Sequence, residues 1–382
     1  YNRAPNGVYV ANPGYILSKA AIPRGAVIIE FGGEPIENID DLEDALATLA
    51  DGERGQVRYV TMDNPQNTIV RSLEMDRVWF PARRCARDDE TGVWPCRDLA
   101  EGPEPAPARV GHTELKKYDD PQVKAIAPSL VVVTFDLPYT LSGVAERHYY
   151  GTGLIVDKER GLVVVDRNTV PIAIGDVTVT FAGSLEVKAK IEQLHPLHNL
   201  AIISYDPALI NDTAVKAASF NPEALASGDD VWVVGIRGDH QLVHQRSTVS
   251  QVGPLTLPLS RTLRFRDSNL EAISLVNAPT EYDGVLVDKR GRVMAMWSSF
   301  AVQSGGESAQ VNRGVGADLV MEFVDVVREG RPFYSLEAEF VYSPLFAARN
   351  MGVDEEWLER LEADNPVNRR ALSITRLVAG TD

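Results

Sequence analysis

The N-terminal part of the chain alternates short apolar runs with one amphipathic stretch. The runs that predict strands are GVYVAN, AVIIEFGGEPI with a Gly-Gly turn, QVRYVTMD and NTIVRSLEMD. Among them lies NIDDLEDALATLA, which has helical periodicity. Its apolar face consists of Leu42, Ala45, Leu46 and Leu49. Asn38 or Asp40 is placed to cap this helix. The pattern predicts a small α+β domain over residues 1–75.

The pattern changes twice in the next part of the chain. Residues 76–122 are rich in proline and charge, as in GPEPAPAR, and predict an ordered extension followed by a linker. Residues 123–315 are a succession of apolar runs bounded by Gly, Pro, Asp and Asn. The runs are SLVVVTF, HYYGTGLIVD, GLVVVD, DVTVTF, NLAIISYD, DDVWVVGI and GVLVDKRGRVMAMW. Because short strands at intervals of roughly a dozen residues are typical of closed or packed sheets, this region predicts a β-barrel or sandwich.

A second amphipathic helix is predicted where the strand pattern stops. It covers GADLVMEFVDVVREG, residues 316–330. Its apolar face consists of Leu319, Phe323, Val326 and Val327. Residues 331–382 then start a new pattern with a helical segment, DEEWLERLEADNP, and end at AGTD. Since YNRAPNGVYV at the start also has the character of a domain interior, we expect the sequence to be cut at both ends.

Composition limits the classes of function. With 44% apolar and 24% charged residues, the 382-residue chain has the makeup of a globular protein of two or three domains. Its net charge of −16 and its scattered Lys and Arg argue against nucleic-acid binding. No apolar run reaches the roughly 18 residues of a membrane-spanning helix, so no membrane span is expected. An N-terminal signal is absent, but because the chain starts abruptly this says little about localisation.

The two cysteines leave two interpretations open. Cys85 and Cys96 flank the turn-like sequence DDETG, so they could face each other across a hairpin-like loop and form a disulfide. A disulfide would indicate an oxidising compartment, whereas the alternative is a pair of free thiols. The CxxC spacing of zinc sites is absent, and neither a metal nor another cofactor is expected.

The order of segments resembles the HtrA/DegP family of PDZ-containing, trypsin-like serine proteases. The segments that carry the resemblance are GTGLIVD, GLVVVDRNTV, HPLHNLAIISYD, SGDDVWVVGI and YDGVLVDKRGRVMAMW. Residues 7–72 resemble the PDZ domain of that family. The chain is most similar to the large, internally duplicated branch known from fungal nuclei and plant chloroplasts, in which a second, degenerate protease unit follows PDZ modules. MDRVWFPARRCARDDETGVW and RHYYGTGLIVDKERGLVVVDRNTV resemble that second unit.

The resemblance implies a mostly β architecture with five parts. A PDZ-like α+β domain lacking its N-terminal part (1–75) precedes an extension and linker (76–122). A trypsin-like double β-barrel follows as a degenerate protease domain (123–315). A linker helix (316–330) then leads to the start of a further PDZ-like domain (331–382).

The resemblance places other residues at all three positions of the family's catalytic triad. GLVVVDRNTV puts Asn168 at the position of the histidine base, HNLAIISYD puts Asn199 at the aspartate, and TEYDGVLV puts Tyr282 at the serine. An amide is not basic near neutral pH, so Asn168 cannot take a proton from a nucleophile. Without a carboxylate at Asn199, nothing would orient a histidine. The Tyr282 ring would fill the space that a scissile carbonyl must enter.

The residues beside Tyr282 also oppose catalysis. An oxyanion hole needs backbone N–H groups aimed at developing negative charge. Glu281 and Asp283 would place two carboxylates beside that point. The resemblance therefore implies a blocked oxyanion loop and no catalytic residue in this chain.

Several residues could supply chemistry elsewhere, and each has a structural alternative that we favour. His195 and His198 in HPLHNL are read as structural rather than as metal ligands, since no third ligand is evident. Ser304 in QSGGES mimics a nucleophile motif, but its polar, Gly/Ser-rich context predicts a mobile loop. The other histidines considered lie where a turn enters a strand (His240, His244) and at the first barrel strand (His148).

Peptide binding by the PDZ-like parts is left open. A PDZ domain holds a peptide carboxylate on the N–H groups of a loop that here would precede Tyr1. In the C-terminal part Leu336 is followed by Glu337 where the family has glycine, and a carboxylate there would repel a carboxylate ligand. Peptide capture and a purely structural or docking role therefore remain equal alternatives.

The favoured function is a non-catalytic scaffold for assembly and docking in protein quality control. The alternatives are a PDZ peptide-binding adaptor and an active serine endopeptidase with an unrecognised nucleophile. The expected partners are proteins or peptides, with homo-oligomers, including trimers, implied by the family. Composition and the cysteine pair favour the periplasm or bacterial envelope, whereas the family resemblance favours the nucleus or a plastid.

Overall fold

The chain divides between Arg109 and Val110 into two units, which are described separately. The computed structural model describes residues 6–141, 146–255, 271–304, 307–334, 336 and 338–377. The stretch 76–122, expected as an extension and linker, is shared between the units, because residues up to 109 pack with the first and residues from 110 with the second.

The first unit is a small α+β fold. Its elements are β1 (Val8–Tyr9), α1 (Ile16–Lys19), β2 (Ala26–Phe31), β3 (Glu34–Pro35), α2 (Ile39–Ala47), β4 (Arg54–Thr61), β5 (Ile69–Glu74), β6 (Arg83–Cys85) and β7 (Cys96–Asp98). The main sheet has the order β1-β2-β4-β5, with β3 paired to β2. Its core is built around Phe31, Val57, Tyr59 and Leu73, against which α2 packs its apolar face.

Helix α2 begins at a capping box, and Asn38 rather than Asp40 is its cap. The Asn38 side chain accepts the N–H groups of Asp40 (2.8 Å) and Asp41 (3.2 Å). In return the Asp41 carboxylate accepts the Asn38 N–H at 3.1 Å. Because free N–H groups at a helix start otherwise lack partners, this reciprocal pair fixes where α2 starts.

Strands β6 and β7 form a hairpin that is closed by a disulfide. Cys85 and Cys96 are directly opposite in the ladder and their sulfurs are bonded. Of the two interpretations open from sequence, the structure has the disulfide.

The second unit starts with α3 (Pro121–Ile126) and a closed six-stranded antiparallel barrel. The strands are β8 (Leu130–Asp136), β9 (His148–Asp157), β10 (Leu162–Val165), β11 (Asp176–Phe181), β12 (Leu185–Leu194) and β13 (Ala201–Tyr205). They close in the order β10-β13-β12-β11-β8-β9. Inward-facing side chains such as Val133, Ile155 and Val163 fill the interior and are completely buried.

A second closed barrel follows in the same unit. Its strands are β14 (Asp230–Ile236), β15 (Leu242–Pro254), β16 (Glu271–Leu275), β17 (Gly284–Val287), β18 (Val293–Ser304) and β19 (Glu307–Gly316), closed in the order β14-β15-β16-β19-β18-β17. Trp297 is fully buried in its interior. A separate cluster that includes Leu154, Val285 and Met296 joins the two barrels. The two closed barrels confirm the expected trypsin-like double β-barrel.

The apolar runs predicted most of the barrel strands, but one prediction was wrong. The QSGGES stretch was read as a mobile loop, whereas the backbone of Ser304 ends β18 and pairs with Glu307 of β19. The β18–β19 ladder starts at Ala295↔Gly316 and runs out to that pair. Main-chain hydrogen bonds hold such a ladder whatever the polarity of its side chains, which explains why a polar sequence forms strands here.

The predicted second helix forms as α4 (Ala317–Glu329), which ends at Gly330 with φ 64°. Phe323 and Val326 are buried, as its periodicity predicted. The chain continues with β20 (Ala338–Pro344), α5 (Leu345–Asn350), α6 (Glu355–Asp364) and β21 (Arg370–Leu377). Among the described residues, no helix is long and apolar enough to cross a membrane.

Candidate functional site

Asn168 and Asn199, both in the first barrel, donate hydrogen bonds to the same residue of the second barrel, Ser299. Asn168 lies in the turn after β10, and its Nδ2 donates to Ser299 Oγ at 2.9 Å. Asn199 is completely buried before β13, and its Nδ2 donates to Ser299 O at 2.7 Å. Asn199 Oδ1 also accepts the N–H of Arg167 at 2.9 Å. The amides at both positions therefore act as structural donors to β18.

Sequence reasoning missed the carboxylate at the centre of this group. Asp166 directly follows β10 and is 2% exposed. Its Oδ2 accepts the N–H of Ser299 at 2.8 Å and the hydroxyl of Ser299 at 3.0 Å, and its Oδ1 accepts the N–H of Thr169 at 2.7 Å. Burial raises the pKa of Asp166, and the hydrogen bonds from Ser299 and Thr169 oppose that rise. The available signal was an acidic residue placed immediately after the apolar run LVVV.

Tyr282 lies just before β17 and belongs to the second barrel. Its carbonyl accepts Asn312 Nδ2 at 3.0 Å, and its ring packs against the core of that barrel. A Cβ on Gly235 would lie 2.7 Å from the ring, so the glycine makes room for it. Burial, and secondly the charge of Glu281, raise the pKa of Tyr282 to about 12. The phenol therefore stays protonated near neutral pH and is a poor nucleophile.

The two carboxylates beside Tyr282 point to different environments. Glu281 is exposed to solvent. Asp283 turns toward the first barrel, where its Oδ1 accepts the N–H of Thr152 on β9 at 2.8 Å. The Thr152 hydroxyl donates to the Asp283 carbonyl at 3.0 Å and accepts the N–H of Ile236 at 3.0 Å. Asp283 thus bridges the barrels rather than lining an open oxyanion site with Glu281.

Asp166 and Asp283 form a reciprocal acidic pair between the barrels. Each carboxylate starts on one barrel and binds backbone N–H of the other, at Ser299 and Thr152 respectively. Burial, followed by the negative charge of Asp166, raises the pKa of Asp283 to about 8. A carboxyl group of such pKa keeps a proton at neutral pH, which relieves the repulsion within the pair.

The atoms around this pair are closely packed. A Cβ on Gly151 would lie 2.2 Å from Thr169 Oγ1 and 2.5 Å from Asp283 Oδ2. Glycine is therefore required where β9 passes between the two barrels' polar groups. These hydrogen bonds hold the two barrels together, and the polar groups that form them are paired with one another.

His195 and His198 occupy the structural environment that we favoured from sequence. His195 Nδ1 accepts the N–H groups of Leu197 (3.1 Å) and His198 (2.9 Å), which fixes the neutral ring with its proton on Nε2. The His195 ring packs edge-on against Phe323 and Phe333 at 5.0 and 5.2 Å. Burial, the neighbouring His198 and Arg167 lower the pKa of His195 to about 3. This histidine remains uncharged at neutral pH.

The remaining candidates are dispersed over the second unit. His240 lies in a turn with φ 61°, His244 is in β15, and His148 Nδ1 contacts Asp136 Oδ1 at 2.8 Å. Within the described part of the chain, no group of three His, Cys, Asp or Glu side chains could hold a metal ion. Leu336 is 79% exposed, whereas Glu337 lies outside the described residues.

The chain is similar over nearly its whole length to fungal proteins, several of them named as serine proteases. It is 30% identical over 390 residues to the pro-apoptotic serine protease nma111 of Aspergillus oryzae, covering 99% of this chain and 38% of that protein. It is 31% identical over 365 residues to NMA111 of Eremothecium gossypii, covering 92% of this chain and 37% of that protein. A PDZ domain-containing protein of Schizosaccharomyces pombe is 29% identical over 388 residues, covering 98% of this chain and 39% of its own length.

The chain spans about two fifths of the length of these curated relatives. No profile of a known protein family matches it. Among solved structures, an HtrA-type protease AlgW with a decapeptide aligns with a TM-score of 0.45 at 13% identity, covering 68% of this chain and 79% of that chain. On its similarity to the fungal proteases over nearly its whole length, the chain belongs to the HtrA family of PDZ-containing, trypsin-like serine proteases.

Proposed function

We propose that this chain is a non-catalytic, pseudo-protease part of an HtrA-like protease and serves as an assembly and docking scaffold in protein quality control. The observation that carries the proposal is the bonding around Ser299. Asn168 and Asn199 donate to this residue, and its own hydroxyl donates to Asp166. These positions resemble the family's base and its orienting acid, yet their side chains serve the contact between barrels.

The chemistry of the remaining position supports the same proposal. Nucleophilic catalysis needs an activated hydroxyl within hydrogen-bond reach of a base. Tyr282 carries a phenol with a raised pKa, and the neighbouring Asp283 is occupied by Thr152. Restoring acyl transfer would require a base, an orienting acid and a small nucleophile together.

The parts of the chain fit a regulatory segment within a longer protein. We infer that residues 1–75 are PDZ-like, that 123–315 form the degenerate protease domain, and that 331–382 begin a further PDZ-like domain. Proteolysis by the whole protein would then belong to a catalytic unit outside this chain. The partners implied are proteins or peptides, and further copies of the chain.

Digestion of unfolded casein tests the catalytic half of the proposal. The purified 382-residue chain should leave casein intact over a time in which a trypsin-like protease digests it completely. Digestion that copurifies with the chain, and that disappears in a Ser304→Ala or Ser299→Ala variant, would show an unrecognised nucleophile and overturn the proposal.

A further inference from the structure

A segment of the first unit, residues 77–102, starts and ends beside the C-terminal end of helix α2. The Arg77 guanidinium donates to the carbonyls of Leu46 (2.8 Å) and Leu49 (3.1 Å), which lie at the C-terminal end of that helix. Gly102 packs against the same groups, since a Cβ there would lie 2.1 Å from the Leu49 carbonyl and 2.9 Å from the Arg77 guanidinium. The chain between these residues is therefore held at both ends at one place.

The middle of this segment reaches the opposite end of α2. Its hairpin, β6 and β7, places Arg84 in contact with Asp40 and with Glu43, the latter at 3.1 Å. Arg97 on the facing strand contacts Glu43 at 2.6 Å. Asp40 and Glu43 lie toward the N-terminus of α2. Residues 82–99, which we call the strap, thus lie along the helix from one end toward the other.

Little besides the disulfide stabilises the strap internally. Nearly every residue from Arg83 to Asp98 is exposed or only half-buried, and the apolar side chains of Val93 and Trp94 are 57% and 62% exposed. A two-stranded hairpin without a buried face is marginal in water, and exposed ion pairs add little to it. The bond between Cys85 and Cys96 is covalent, so water and salt do not weaken it as they weaken exposed hydrogen bonds and ion pairs.

We propose that the Cys85–Cys96 disulfide is a redox-controlled lock that keeps the strap folded as a hairpin, the form in which Arg84 and Arg97 contact helix α2. Both cysteines are exposed, so a dithiol reductant can reach the sulfurs. The dithiol gives up two electrons and two protons and becomes a disulfide, while Cys85 and Cys96 each become a thiol. Reduction frees the two strands of the strap between the anchors at Arg77 and Gly102, and this loosens the contacts of Arg84 and Arg97 with Glu43. The lock operates whether or not the barrels are catalytic.

Hydrogen exchange on the full 382-residue chain, before and after reduction with dithiothreitol, tests the lock. The reporter amides are those of Ala86, Asp88 and Leu99, which bond across the hairpin to Pro95, Val93 and Ala82. Reduction should speed their exchange by about tenfold or more, because local opening sets the rate. The amides of Val10 and Gly32, which bond within the main sheet of the first unit, should change by less than about twofold.

A double variant, Cys85→Ser with Cys96→Ser, provides the matched control. Without reductant its strap should exchange as fast as that of the reduced chain, and adding dithiothreitol should change nothing further. Equal protection of the strap in oxidised and reduced protein would overturn the proposal. So would a thiol titration that finds two free thiols in unreduced protein whose strap amides are already protected.

Discussion

The buried amide of Asn199 takes part in the hydrogen bonding between the two barrels. It satisfies two backbone groups: the buried Ser299 O, 2.7 Å from Nδ2, and the half-buried Arg167 N–H, 2.9 Å from Oδ1. An ionised aspartate can accept as asparagine does but cannot donate to a carbonyl. A carboxylate is therefore unfavourable at this position.

Asn199→Asp should destabilise the second unit by about 2–4 kcal/mol at pH 7, since it leaves the Ser299 carbonyl unpaired and adds a buried charge near Asp166. Urea denaturation followed by tryptophan fluorescence, to which the buried Trp297 contributes, measures the loss. Asn67→Asp, the same chemical change at an exposed position, should shift stability by less than about 0.5 kcal/mol. An Asn199→Asp variant as stable as the parent would contradict the structural role of this amide.

The family resemblance singled out Asn168 and Asn199, but sequence reasoning missed Asp166, which binds the same residue as these two amides. Asp166 binds Ser299, which is 133 positions away along the chain, and only closure of both barrels brings them together. A single aspartate after an apolar run is also common at strand ends. The pattern of the sequence therefore could not distinguish a buried bridging carboxylate from a solvated turn residue.

At the scale of elements, the predicted strands are those that contain an apolar run, and two of them are buried on both faces. β10 and β17 are entirely buried and appear in the sequence as uninterrupted apolar runs. β12 has alternating exposed residues such as Lys188 and Lys190, and β19 is polar over much of its length, so both escaped prediction. Neither segment is an uninterrupted apolar run, and main-chain pairing with neighbouring strands sets the place of each.

The stability that Asp283 contributes at the contact between the two barrels should fall as pH rises. The ordinary pKa of an aspartate, near 3.8, applies to Asp283 in the unfolded chain, whereas burial and Asp166 raise it to about 8 in the folded protein. The folded state therefore binds the proton more tightly. Its stabilising contribution is fully present below about pH 4 and is lost as pH rises through 8.

Asp283→Asn removes this titration while keeping an acceptor for the Thr152 N–H. Between pH 5 and pH 9, the free energy of unfolding should fall by about 1–3 kcal/mol less in the variant than in the parent. Urea denaturation at both pH values measures the difference. Glu281→Gln, an adjacent change at an exposed carboxylate, should leave the parent's pH dependence intact. Equal slopes for the parent and Asp283→Asn would show that the acidic pair is not coupled to folding.

At the scale of the whole molecule, the C-terminal part presents apolar side chains suited to docking. Phe346, Trp357 and Ile374 are 65%, 57% and 58% exposed. Contiguous exposed apolar surface is typical of sites that contact other chains. They support the proposal that this part of the protein serves assembly.

Self-association of the 382-residue chain follows from that proposal. Sedimentation equilibrium should give a mass above 41.9 kDa, with trimers as the expected species, and dilution should lower the average mass. A mass of 41.9 kDa at every concentration up to about 50 µM would remove the support for an assembly role. It would leave the question of catalysis unaffected.

Labelling by a fluorophosphonate probe, read by intact mass, tests the absence of an activated serine most directly. The folded chain should show no mass increase beyond that of a heat-unfolded sample, because the Ser299 hydroxyl, which donates to Asp166, is buried and Tyr282 is a protonated phenol. Addition of one phosphonyl group to most chains, prevented by prior unfolding and by a single serine-to-alanine change, would establish an active nucleophile. That result would contradict the account of these barrels as a non-catalytic scaffold.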